Sequence, residues 1–79
     1  MPTILRSGPY RFFFYSNEAG EPAHVHVQRE LKLAKFWLSP VALAASSGFR
    51  GHGLRTLEAL VQVHHAEFHE AWNEYFANP

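Results

Sequence analysis

Seventy-nine residues allow one domain, 1–79, and a chain of this length buries only about 60% of its unfolded surface, so a partner or an oligomer is expected to support it. A hydrophobic content of 47% with 15% aromatics excludes disorder, and no apolar run approaches the roughly 18 residues of a membrane span. The absence of cysteine excludes disulfides, thiolate metal sites and a cysteine nucleophile, and seven Lys and Arg against seven Glu leave no net field to draw the chain onto nucleic acid or an anionic membrane.

Met1-Pro2-Thr3-Ile4-Leu5-Arg6 lacks the apolar core of a signal peptide, which points to the cytoplasm. Thr3 to Arg6 is a short β-prone run, and Ser7-Gly8-Pro9 is a turn. Tyr10 to Tyr15 reads as a second strand with no clean polar face. Tyr10, Phe12 and Phe14 line one side and Arg11, Phe13 and Tyr15 the other, so it should be covered on both. Residues 16–22 form a polar loop that reaches over a sheet edge.

His24 to Gln28 and Leu31 to Leu38 read as paired strands joined near Arg29-Glu30. Side chains alternate between the faces of a strand, so His24 and His26 share one side while Val25 and Val27 share the other. One register sets Phe36 and Leu38 beside the valines and Lys35 and Trp37 beside the histidines; a slip of one residue exchanges the two sets. Ser39-Pro40 suits a helix start, with Val41 to Ser46 as about two turns and Gly48-Phe49 as a left-handed stop. After a break at Arg50-Gly51-His52-Gly53, the residues Leu54, Leu57, Val61, Phe68, Trp72 and Phe76 recur at helical spacing. A helix of roughly 24 residues would span about 36 Å, so a bend near His64-His65 or an overhang used for association is expected. The fold class is α+β: a small antiparallel sheet of three to four strands, then a short and a long C-terminal helix packed on one face. The uncovered face then carries the histidines.

Two parallel imidazoles on a strand serve three purposes: solvated or interfacial polar positions, a substrate or nucleic-acid site, or ligands for one metal. Lys35, Trp37 and Arg11 nearby favour a phosphate or base partner within the second reading. His65 and His69 lie one turn apart with Glu58 two turns earlier, yet the order His-His-Ala-Glu-Phe-His is not that of a zinc protease, and seam histidines at a helix bend fit better. Arg50 and Arg55 flank a glycine-rich helix start that suits an anion, or is a plain connector. No metal or cofactor is assigned.

Arg11-Phe12-Phe13-Phe14-Tyr15-Ser16-Asn17-Glu18, Glu21-Pro22-Ala23-His24-Val25-His26-Val27, Ala34-Lys35-Phe36-Trp37-Leu38 and Glu70-Ala71-Trp72-Asn73-Glu74-Tyr75-Phe76 resemble the small bacterial domain of unknown function 4160 family. The chain departs from that pattern at Ala23, at Arg50-Gly51-His52-Gly53 and at Val63-His64-His65, so the helical histidines look private to it. The resemblance implies a small cytoplasmic protein, often encoded beside a second small domain and regarded as a toxin–antitoxin component. It would engage RNA or that cognate protein, and form a homo-oligomer or a hetero-complex. If it is an enzyme, the expectation is a metal-independent ribonuclease. His24 and His26 would then be acid and base, Lys35 would steady phosphorane charge, and Arg11, Trp37, Glu21, Arg50 and Arg55 would bind. The alternatives are a non-catalytic interaction module and a histidine metal-binding protein.

Overall fold

The aromatic run at the end of the second strand sets the layering, because Phe12, Phe13 and Phe14 are all buried although they point to opposite faces of the sheet. The computed structural model describes residues 3–15, 18 and 20–76. Five antiparallel strands form a meander in chain order, β1 (Thr3–Ser7), β2 (Tyr10–Phe13), β3 (His24–Arg29), β4 (Lys32–Leu38) and β5 (Val41–Ser47), followed by helices α1 (Gly51–Val63) and α2 (His65–Phe76). The class is α+β as expected, with five strands where three to four were anticipated. The loop expected over residues 16–22 lies partly outside the described residues, at 16, 17 and 19.

The β3–β4 register is the one that alternation favours: Val25 faces Phe36, Val27 faces Ala34, His24 faces Trp37 and His26 faces Lys35. Glu30, at φ 56°, makes the tight turn between these strands. The valine face meets both helices, and its core joins Phe12, Phe14, Val25, Val27, Phe36 and Leu38 to Leu57, Val61, Phe68 and Trp72. At roughly 25 cal/mol per Å² of apolar surface removed from water, this face supplies most of the driving force for folding.

Two expectations are corrected. Val41–Ser47 is a strand, not a short buried helix, and most of it is exposed. Ser39-Pro40 makes the turn between β4 and β5 through a cis peptide. Two isolated helical turns are marginal in water, whereas pairing of Val41 with Leu38 through Ser47 with Leu33 satisfies the backbone of β4 along its whole length. Gly48 does adopt a positive φ of 92°, but it ends a strand and leads into α1. That helix begins at Gly51, so residues 51–53 are its first turn and not a break, and no side chain caps it. The expected bend falls at His64, which separates α1 from α2 while Phe68 still donates its amide to the His64 carbonyl at 3.0 Å.

Candidate functional site

The pairing of β3 with β2 and β4 gathers Arg11, Phe13, His26, Gln28 and Lys35, with His24 and Trp37, on the face away from the helices. The two imidazoles emerge together, their ring centroids 5.1 Å apart. They are not the solvated pair anticipated. His24 is 0% exposed, because Trp37 stands 5.6 Å from its ring and Trp72, reaching past the end of the sheet from α2, stands 4.9 Å away. His26 packs in a three-ring cluster with Phe13, stacked at 5.4 Å, and Tyr15, edge-on at 4.6 Å, which themselves stand 5.3 Å apart. Glu18 covers both from the loop between β2 and β3.

The Glu18 carboxylate sits between the two rings. His26 Nε2 donates to Oε1 at 2.9 Å and Oε2 at 3.0 Å. His24 donates from Nδ1 to the Pro22 carbonyl at 2.9 Å, since a carbonyl oxygen only accepts. Its Nε2 lies 2.9 Å from Glu18 Oε1, yet the direction is wrong for a hydrogen bond, and this buried nitrogen has no hydrogen-bonding partner. Distance and alignment thus disagree, and alignment decides: the contact is one of proximity, without a directional bond. Burial pushes the Glu18 carboxyl up, but the two imidazoles together outweigh it and hold the acid below its ordinary range. Burial pushes His26 down; the Glu18 hydrogen bond and charge oppose this without cancelling it, and His24 and Lys35 add repulsion. His26 is therefore a weaker base than a free imidazole.

Lys35 and Trp37 adjoin this cluster, but the ammonium is already engaged. It binds Glu21 Oε1 at 2.6 Å and lies 4.6 Å from the Trp37 ring centroid. Arg11 is likewise committed: Nε donates to Thr3 Oγ1 and Nη1 to Gln28 Oε1, both at 2.9 Å, while the guanidinium packs 4.5 Å from the Phe13 ring centre. His24, His26, Lys35, Trp37 and Glu21 are thus brought together, with Arg11 one aromatic ring away. Arg50 is at the other end of the strands, in a cleft with Arg29, Lys32 and His52, and Arg55 lines a separate cleft with Leu43 and Glu58. These two arginines belong to no common site with the histidines.

Two of the helical histidines hold partners of their own. His65 donates from Nε2 to the Leu38 carbonyl and so ties α2 to the end of β4, and His64 Nδ1 pairs with Glu67 at 2.9 Å. The residue that pattern reasoning missed is Glu18. A loop glutamate has no periodicity, and the only signal was its place in the polar stretch expected to reach over the sheet.

Beyond the cluster, the histidine side of the sheet continues as a shallow cleft of about 310 Å³ lined by Tyr15, His26, Leu33, Lys35, Ala45 and Ser47, among others. No helix covers it. No helix among the described residues is long and apolar enough to cross a membrane.

No curated protein and no solved structure matches the chain. A family model, described as Domain of unknown function (DUF4160), matches residues 10–73, from the start of β2 into the last turns of α2. With strands β2 to β5, the histidine pair, α1 and most of α2 inside that span, the chain belongs to the DUF4160 family.

Proposed function

We propose that this protein is an interaction module, one member of a two-protein pair of the toxin–antitoxin type, and that it engages its cognate small protein through the histidine side of the sheet. The observation that supports this reading is the cleft between Tyr15, Leu33 and Ala45. It is a mainly apolar surface on a sheet that carries its helices on the other face, with Leu33 40% and Tyr15 37% exposed. Apolar side chains on an open sheet face are where a partner gains most from excluding water. The pairing with a neighbouring gene product rests on the family resemblance.

Protein is favoured over RNA because the cations of this face are spent. Lys35 is held by Glu21 and Arg11 by Thr3 and Gln28, so neither reaches a phosphate without first losing a partner. The ribonuclease reading has less support still. A general acid or base must touch the reacting atoms, and the His24 ring is sealed beneath Glu18, Trp37 and Trp72.

The test is co-expression with the product of the adjacent gene, followed by size-exclusion chromatography with light scattering. A complex of defined mass is expected with the wild type, and its loss with Leu33→Glu, whose near-UV circular dichroism should match the wild type. A wild type that elutes alone, or a Leu33→Glu variant that co-elutes equally well, overturns the proposal.

A further inference from the structure

We infer that Glu18, His24 and His26 form a binding site for a divalent transition-metal ion. Their ligand atoms all lie within 4.8 Å of one another, and two of the separations are 2.9 Å. Adjacent ligands of an octahedral ion at about 2.1 Å stand about 3.0 Å apart, and those of a tetrahedral one about 3.3 Å apart. The two carboxylate–imidazole separations are close to either, and the two imidazole nitrogens lie within 4.8 Å of each other. Two imidazoles and one carboxylate are also the donor set that first-row divalent ions with open positions favour.

The second observation is His24 itself. Its Nδ1–H is fixed on the Pro22 carbonyl, so in the neutral ring the lone pair is on Nε2, and Nε2 is the buried atom without a partner. A backbone carbonyl that holds one ring nitrogen so that the other points at an ion is the usual outer support of a metal-bound histidine. Without an ion the arrangement is costly. The buried Nε2 acceptor goes unsatisfied, which is rare in folded proteins, and it stands 2.9 Å from a carboxylate oxygen that cannot donate to it. A cation removes both defects at once, with His26 presenting Nε2 as a ligand after its proton passes to Nδ1 in the neutral ring, or to solvent from the imidazolium. The surrounding Phe13, Tyr15, Trp37 and Trp72 rings hold the imidazoles in place and limit water around them. His26 also lines the open cleft, so an ion bound here has a route from solvent.

The site is independent of the docking proposal, since a partner on the Leu33 surface needs no ion. The experiment is titration of the chelator-treated full-length chain with Zn²⁺, Ni²⁺ and Co²⁺ at constant pH, followed by calorimetry and by thermal unfolding. A double variant, His64→Gln and His69→Gln, serves as the reference: it breaks up the helical imidazole group and leaves the His65–Leu38 tie in place. One ion per chain is expected in that reference, with a higher Tm because only the folded state assembles the ligands. Glu18→Gln and His26→Gln, both with partly exposed side chains, should each weaken binding by a factor of about 100 or more and abolish the Tm gain. His24→Gln is buried and risks the fold, so the His24 contribution is read in the reference protein itself: imidazole ¹⁵N spectra should show its Nε2 resonance moving on Zn²⁺ addition. Absence of binding in the reference protein, or binding that survives unchanged in both Glu18→Gln and His26→Gln, overturns the inference.

Discussion

At the scale of single residues, the Glu18–His26 pair makes stability depend on pH in a definite sense. In the folded protein His26 releases its proton more readily than a free imidazole, whereas the unfolded chain takes one up near pH 6.5, the ordinary value. The folded state is therefore favoured above that pH, and the advantage is lost as pH falls from about 6.5 through the lower folded value. Glu18 is also held below its ordinary range, so its contribution is full above about pH 4.3 and fades as pH falls through its folded value. Both act in the same direction, and acidification destabilises in two windows. In chelator, Tm measured from pH 8 to pH 4 should fall below pH 6.5 and fall further below about 4.3. His26→Gln should flatten the first decline relative to the wild type. Glu18→Gln should remove the second and deepen the first, because it takes away the carboxylate that holds the His26 proton. A first decline of equal size in wild type and His26→Gln would show that other histidines carry it.

At the scale of elements, the join between sheet and helices runs through His65, whose Nε2–H reaches the carbonyl of Leu38, a fully buried residue at the end of β4. Replacing it by Ala leaves that acceptor unpaired, at a cost of about 1–3 kcal/mol. In a domain of this size each kcal/mol lowers Tm by about 4–8 °C, so a drop of that order is expected for His65→Ala in a thermal melt. No drop would mean that α2 is held by its apolar face alone. This contact was invisible in sequence, where His65 looked only like a seam residue at a bend. What could be read were features with a period: the two faces of β3, the β3–β4 register that alternation implies, and the apolar stripe from Leu57 to Trp72. The element that misled was Val41–Ser47. Val-Ala-Leu-Ala-Ala has no alternation, Ser-Pro begins a helix as readily as it makes a turn, and Gly48 ends either. Its strand character comes from pairing with β4, a tertiary cause that no local window contains. Glu18 escaped for the related reason that a site made across a loop leaves no mark on either strand.

At the scale of the whole molecule, the core lies on one sheet face, and a chain this short has little margin of stability. Stability of about 0.05–0.15 kcal/mol per residue gives roughly 4–12 kcal/mol for 79 residues. Phe68 is the point on which the layers depend. It is fully buried, its ring packs 5.1 Å from Phe12 of β2, and it lies on the helix just past the His64 bend. Truncating a buried Phe to Ala costs about 3–5 kcal/mol, about a quarter of the margin at best and all of it at worst. Phe68→Ala should therefore lower the urea midpoint by at least about a quarter and populate the unfolded chain at 37 °C, as read by circular dichroism. Val63→Ala, one turn earlier and 75% exposed, should stay within about 0.5 kcal/mol of the wild type. The contrast separates two accounts of the C-terminal half. If α2 were an appendage that merely overhangs the sheet for association, both substitutions would be mild; if it is the lid of the core, only the first is severe. The burial of Phe68 and Trp72 against the valine face favours the lid, and Trp72 extends it to the His24 ring, 4.9 Å away.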